Sequence, residues 1–207
     1  MMINKGDVVL FQGDSVTDCG RSRENDSLLG SGYVNMIAAQ FTVMYPELEV
    51  QFINRGISGN RVKDLVARWD ADCINLKPNI VTILIGINDT WRRYDSNDPT
   101  STVVFLADYR ELLTRIRSEL DAQIILMDPF VLPAPPDRRT WREDLNPRID
   151  GVRELAREFG AQYIPLDGIF AAAAMKAPCT VWCGDGVHPT QAGHALIANS
   201  WLDVVLD

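Results

Sequence analysis

Five short apolar runs rich in β-branched residues alternate with amphipathic stretches along this chain, and that alternation constrains its fold more than any single motif. The runs are Val8–Phe11, Val50–Asn54, Ile80–Ile85, Ile124–Met127 and Tyr163–Leu166. Between them Val34, Ile37, Ala38 and Phe41 recur at helical spacing, as do Val62, Leu65, Val66, Trp69 and Cys73. Phe105, Tyr109, Leu112, Ile116 and Leu120 mark a third helix. Ile149, Val152, Ala156 and Phe159 mark a fourth, with Asn146 as its cap and Pro147 in its first turn. A last helix from about Thr190 turns Ile197, Trp201 and Val204 to one face. Strands interleaved with helices form a parallel sheet, and each crossover is right-handed. The predicted fold is therefore an α/β three-layer α/β/α sandwich, flavodoxin-like, with a five-stranded parallel sheet in the order 2-1-3-4-5.

At 207 residues and 46% apolar content, residues 1–207 suit one domain with a continuous core. The 28 acidic residues outnumber the 20 basic ones, so the chain has no basic footprint for nucleic acid or an anionic membrane surface. The opening apolar run, Val8–Phe11, is too short for a signal-peptide core or a membrane span, and the expected location is cytoplasmic. Cys19, Cys73, Cys179 and Cys183 are then expected to stay reduced. Cys179, Cys183 and His188 would leave zinc one ligand short, so no metal is expected.

Four polar segments follow predicted strands or precede the last helix: Gly13-Asp14-Ser15, Asn54-Arg55-Gly56-Ile57-Ser58-Gly59, Gly86-Ile87-Asn88-Asp89 and Asp185-Gly186-Val187-His188. In sheets of this order ligands bind beyond the carboxyl ends of the strands, where the order reverses. Ser15 follows strand 1, Gly59 strand 2 and Asn88 strand 3, so segments far apart in sequence meet at one crevice. A serine hydroxyl needs a base to attack a carbonyl, and histidine supplies one at neutral pH. His188 stands three residues after Asp185, close enough for the carboxylate to hold one ring nitrogen. The predicted catalytic residues are thus Ser15, Asp185 and His188. The predicted oxyanion donors are the N–H groups of Ser15 and Gly59 and the side-chain amide of Asn88 in a glycine-flanked turn. His194, at helical spacing from Ile197 and Trp201, reads instead as a buried core histidine.

These segments resemble the four conserved blocks of the SGNH hydrolase superfamily, the GDSL-type esterases and lipases, over Gly13 to His194. The resemblance implies ester hydrolysis through an acyl-enzyme, with no metal or organic cofactor, and places the naming serine, glycine, asparagine and histidine on Ser15, Gly59, Asn88 and His188. A closer likeness lies in Gly13-Asp14-Ser15-Val16-Thr17-Asp18-Cys19-Gly20-Arg21, Gly32-Tyr33-Val34, Gly56-Ile57-Ser58-Gly59-Asn60 and Ile85-Gly86-Ile87-Asn88-Asp89-Thr90-Trp91-Arg92. These look like the intracellular bacterial acetylxylan esterases of that superfamily, which implies an acetylated small carbohydrate as substrate and assembly as a homo-oligomer. The likeness is weaker from Pro129 to Pro147 and from Cys179 to Gly184, the stretches expected to shape the substrate mouth.

Trp91 and Trp182, each three residues from a predicted site residue, are candidate substrate-binding surfaces, with core packing as the alternative. Arg92-Arg93 is a solvated or intersubunit pair, or a handle for an acidic substrate. The proline-rich segment 129–147 is a lid, a subunit contact or a plain surface loop. Three other functions fit parts of the pattern. One is a lipolytic esterase or thioesterase acting on longer acyl chains. Another is a flavodoxin-like binding protein that holds phosphate at the Ser15-Val16-Thr17 turn, and the third is a catalytically silent sugar-binding relative.

Overall fold

The computed structural model describes residues 1–207. Strands β1 (Val8–Gly13), β2 (Gln51–Asn54), β3 (Ile80–Leu84), β4 (Gln123–Met127) and β5 (Gln162–Ile164) all pair in parallel, in the order β2-β1-β3-β4-β5 read from the sequence. The chain leaves β1 toward β2 and then crosses back to β3, which opens the crevice between the carboxyl ends of β1 and β3.

Side chains alternate across the sheet as the period of two requires. Val9, Phe11, Ile80, Leu84, Ile125 and Met127 enter one core, beneath α2 (Tyr33–Met44) and α9 (Gln191–Leu206). Leu10, Val81, Ile83, Ile124 and Leu126 enter the other, beneath α3 (Val62–Asp72), α5 (Thr102–Glu119) and α6 (Arg142–Glu158). Thr82 is a polar exception on the first face. Its Oγ1 accepts from Trp201 Nε1 at 3.0 Å, so two buried polar groups satisfy each other and α9 is pinned to the central strand. Ser101 caps α5 by accepting from Val104 N–H, and Thr190 caps α9 by accepting from Gly193 N–H.

Four short helices complete the chain: α1 (Ser15–Asp18), α4 (Ile87–Asp95), α7 (Leu166–Ala174) and α8 (Cys179–Trp182). Several predicted boundaries move. Asn88 lies in the first turn of α4 rather than in a free turn, and Leu166 opens α7 instead of closing β5. The fourth predicted helix begins at Arg142, so Asn146 is not its cap and Pro147 lies inside it. A proline there loses its own bond to the carbonyl four residues back and its ring crowds that carbonyl. Against that loss, Trp141 and Leu145 are buried with Ile87, Val131, Ile149 and Val187 in a third, smaller core. Arg148 also pairs with Asp144 one turn earlier, at 2.5 Å. Packing therefore carries the helix a full turn beyond the proline. The irregular part of the 129–147 segment shrinks to residues 129–135, since a 3₁₀ turn covers Pro136–Trp141.

No helix is long and apolar enough to cross a membrane.

Candidate active site

The site is built where β1 ends. Gly13 is required there because a Cβ would lie 2.3 Å from Thr17 Oγ1 and 2.4 Å from the Leu84 carbonyl oxygen. The chain then turns at once into α1. Asp14 caps that helix, its Oδ1 accepting from Val16 N–H at 3.0 Å, and Ser15 is its first residue. Asp14 is only 1% exposed, and burial pushes its carboxyl up to about 7 against the opposing pull of the Val16 N–H and His188.

The loop before α9 brings His188 to Ser15. Ser15 Oγ lies 3.0 Å from His188 Nε2, and His188 Nδ1 lies 2.7 Å from Asp185 Oδ2. A carboxylate only accepts, so Nδ1 carries the imidazole proton and Nε2 is left to accept from the serine hydroxyl. Asp185 Oδ1 in turn accepts from the backbone N–H groups of Val187 and His188, at 3.0 and 2.7 Å. Burial raises the Asp185 carboxyl, but these bonds and the imidazole outweigh it and hold the group below the ordinary carboxylate range. Asp185 is therefore ionised at neutral pH.

Gly59 and Asn88 come to the same crevice. Residues Ile57 to Asn60 form a tight turn, closed by the Asn60 N–H donating to the Ile57 carbonyl, with Gly59 at φ +83°. No protein atom lies within 4 Å of where a Gly59 Cβ would stand. Neither the Gly59 N–H nor the Ser15 N–H has an acceptor within the protein. The Asn88 amide donates one proton to the Asn60 carbonyl at 3.1 Å, which fixes its orientation and leaves the second proton free.

The two predicted aromatics part company. Trp91 lies against His188, ring centroids 5.7 Å apart, and against Trp141 behind it. Trp182 packs against the core beneath α2 and α9, where its indole Nε1 is buried. Arg92 pairs with Asp95, and Arg93 with Glu143 and Asp144, so both arginines are engaged within the chain.

Arg138 belongs to the site although no sequence pattern marks it. Its guanidinium stacks 4.1 Å from the Trp141 ring and 5.3 Å from that of Trp91, while Nε donates to the Asp185 carbonyl at 3.3 Å. Leu132 N–H donates to the Gly186 carbonyl at 2.8 Å. The 129–135 stretch and the turn after it thus brace the acid–histidine loop. Nothing in the sequence ties Arg138 to Asp185, 47 residues away.

His194 is 3% exposed, as its spacing predicts. Its Nδ1 accepts from the Tyr33 N–H at 3.2 Å, which places the proton on Nε2, 3.4 Å from Cys19 Sγ. Burial lowers its pKa to about 4. Because the folded state resists a proton that the unfolded chain accepts near the ordinary histidine value, this contribution to stability is lost as pH falls from about 6.5 toward 4. His194→Ala should lower the melting temperature by several degrees at pH 8 while kcat of the folded enzyme changes less than about three-fold. The melting-temperature gap to wild type should narrow on acidification, and thermal scans across that range check it. A gap that widens would contradict the buried neutral ring.

Comparison with known proteins bears on the family of the chain. Residues 11–196 match the GDSL-like Lipase/Acylhydrolase family. An acetylxylan esterase from Geobacillus stearothermophilus is 38% identical over 212 residues, covering 98% of this chain and 95% of the relative. A crystal structure of an acetylxylan esterase from the same organism aligns with a TM-score of 0.89 at 35% identity, over 99% of this chain and 96% of that one. Catalytic mutants of that esterase, with a serine, an aspartate or a histidine replaced by alanine, align as well. A structure from Parabacteroides merdae, described as a GDSL-like lipase, aligns with a TM-score of 0.94 at 36% identity, over 98% and 97% of the two chains. The chain belongs to the GDSL-like lipase/acylhydrolase family and is a serine ester hydrolase.

Proposed function

We propose that the protein removes O-acetyl groups from short xylo-oligosaccharides, with Ser15 as nucleophile, His188 as base and Asp185 as the acid that orients it. The observation that carries this reading is the unbroken hydrogen-bonded series from Ser15 Oγ through His188 to Asp185. In the esterase from Geobacillus stearothermophilus, the mutated aspartate and histidine stand three residues apart, as Asp185 and His188 do.

Ser15 Oγ attacks the acetyl carbonyl carbon as its proton passes to His188 Nε2. The N–H groups of Ser15 and Gly59 and the free amide proton of Asn88 receive the developing oxyanion. Collapse of the tetrahedral adduct expels the sugar oxygen, which takes the proton back from Nε2. Water then attacks the acetyl-enzyme by the same route and releases acetate. Asp185 stays ionised throughout and stabilises the imidazolium. Trp91 offers the aromatic surface beside the reacting carbonyl, and Trp182 serves packing.

The cavity at the foot of the site, lined by Asp14, Val16, Ile87 and Val187 among others, holds only about 10 Å³. Neither this cavity nor a larger hollow of about 530 Å³, lined by residues such as Leu132, Arg142 and Met175, includes any of the triad. The expected result is rapid acetate release from acetylated xylose and xylo-oligosaccharides, with rates on nitrophenyl esters falling beyond propionate. A rate that rises toward octanoate would favour the lipolytic or thioesterase reading. In the same reading the 207 residues work as one SGNH hydrolase domain, as a cytoplasmic homo-oligomer without nucleic-acid or membrane partners. Sedimentation of the purified protein tests the assembly.

A further inference from the structure

We infer that Asp18 is a positioning residue that aims the Gly59 N–H at the oxyanion; the inference rests on the oxyanion role proposed for Gly59. Asp18 closes the four-residue helix that Ser15 opens, so it is rigidly tied to the nucleophile. Its Oδ2 accepts from both the backbone N–H and the hydroxyl of Ser58, each at 3.0 Å. Ser58 immediately precedes Gly59, and the peptide that joins them carries the Gly59 N–H. Two bonds to one carboxylate oxygen fix where that peptide begins.

The rest of the turn is anchored on either side of Gly59. Gly56 donates to Asn54 Oδ1 at 2.9 Å, and Ile57 donates to the Gly13 carbonyl at 3.1 Å. Beyond Gly59, Asn60 accepts at its carbonyl from Asn88 and at its side chain from Arg68, at 3.1 and 2.9 Å. Gly59 alone has no hydrogen bond of its own. A glycine with positive φ is the residue most free to swing, so its N–H is preorganised only through its neighbours.

Simple satisfaction of polar groups does not explain the contact. Ser58 is exposed, and water would serve its N–H and hydroxyl equally well. Asp18 is 6% exposed and gives up hydration to make these bonds. Arg23 lies 3.5 Å away on a side chain that is 59% exposed, a pair that contributes little, and Arg21 is near enough to interact with the Asp18 charge without a direct ion pair. What the arrangement accomplishes is a fixed distance between the nucleophile's helix and the glycine donor.

The test compares Asp18→Ala, Asp18→Asn, Ser58→Ala and the Asp18→Ala/Ser58→Ala pair on nitrophenyl acetate, with inhibition by a small alkyl boronic acid as a tetrahedral mimic. Asp18→Ala should lower kcat about ten- to a hundred-fold, less than outright loss of a donor, with KM within about two-fold. Boronic acid binding should weaken by a similar factor. Asp18→Asn keeps an oxygen that accepts both bonds without the charge, so kcat should recover to within about five-fold of wild type. Ser58→Ala loses only the hydroxyl bond and should cost about three-fold, and the pair should cost no more than Asp18→Ala alone. A merely structural role would lower the melting temperature and leave kcat, KM and boronic acid binding of the folded enzyme unchanged; that result overturns the inference. Should Asp18→Ala fail to fold, Ser58→Ala decides the matter: kcat and boronic acid binding equal to wild type overturn the inference. Retained activity in Ser15→Ala would instead sink the underlying mechanism, whereas an inactive Ser15→Ala beside a fully active Asp18→Ala removes only this role.

Discussion

Ser15→Ala is expected to lower kcat for acetate release by about 10⁶-fold, leaving only the residual rate that oxyanion donors and substrate binding supply. The loss is this large because no other oxygen is held 3.0 Å from His188 Nε2 to become the attacking atom. The fold should be untouched. Asp14, not Ser15, caps α1, so the Val16 N–H keeps its acceptor, and stability should move by less than about 0.5 kcal/mol. Circular dichroism and the melting temperature check the fold, coupled acetate assays check the rate, and an organophosphonate probe should label wild type but not the variant. More than about one-tenth of wild-type activity in a clean preparation would contradict a Ser15 acyl-enzyme.

The strand order, the two-sided core and the convergence of Ser15, Gly59, Asn88 and His188 were all legible in the sequence because each rests on a short-range rule. Strand alternation dictates which side chains enter which core. The switch between β1 and β3 then dictates that residues following different strands meet. Helix boundaries near proline were not legible. Pro147 reads locally as a helix start, yet burial of Trp141 and Leu145 and the Arg148–Asp144 pair extend α6 to Arg142. Local propensity lost to tertiary packing that no window of the sequence contains.

The proline-rich segment shows the same limit at the level of the site. From composition alone it was a lid, a contact or a loop. Its function depends on where Arg138 and Leu132 end up, and both meet the backbone of the acid–histidine loop through bonds to Asp185 and Gly186. Residues that support a reactive group by touching its main chain leave no trace in residue type or spacing. The groups proposed to react are recognisable because chemistry limits which side chains can do the work; their supports are chosen by geometry alone.

Asn88 tests whether that distinction holds, because it is both a predicted donor and a support. Asn88→Ala removes the free amide proton and also the bond to the Asn60 carbonyl. The first loss should lower kcat about 10²–10³-fold with KM nearly unchanged, because the donor is engaged more strongly in the transition state than in the bound ester. The second should cost about 1 kcal/mol of stability, since a partly buried carbonyl loses one donor. Asn88→Asp separates the two further. A carboxylate cannot donate and brings negative charge to the place where the oxyanion forms, so it should be slower than alanine. The N–H groups of Ser15 and Gly59 remain in both variants, which keeps turnover measurable above background. Steady-state kinetics on acetyl esters read the first effect and chemical denaturation the second. If Asn88→Ala keeps kcat within about three-fold while losing stability, the amide is only a tie between α4 and the Gly59 turn, and the oxyanion is held by backbone groups alone.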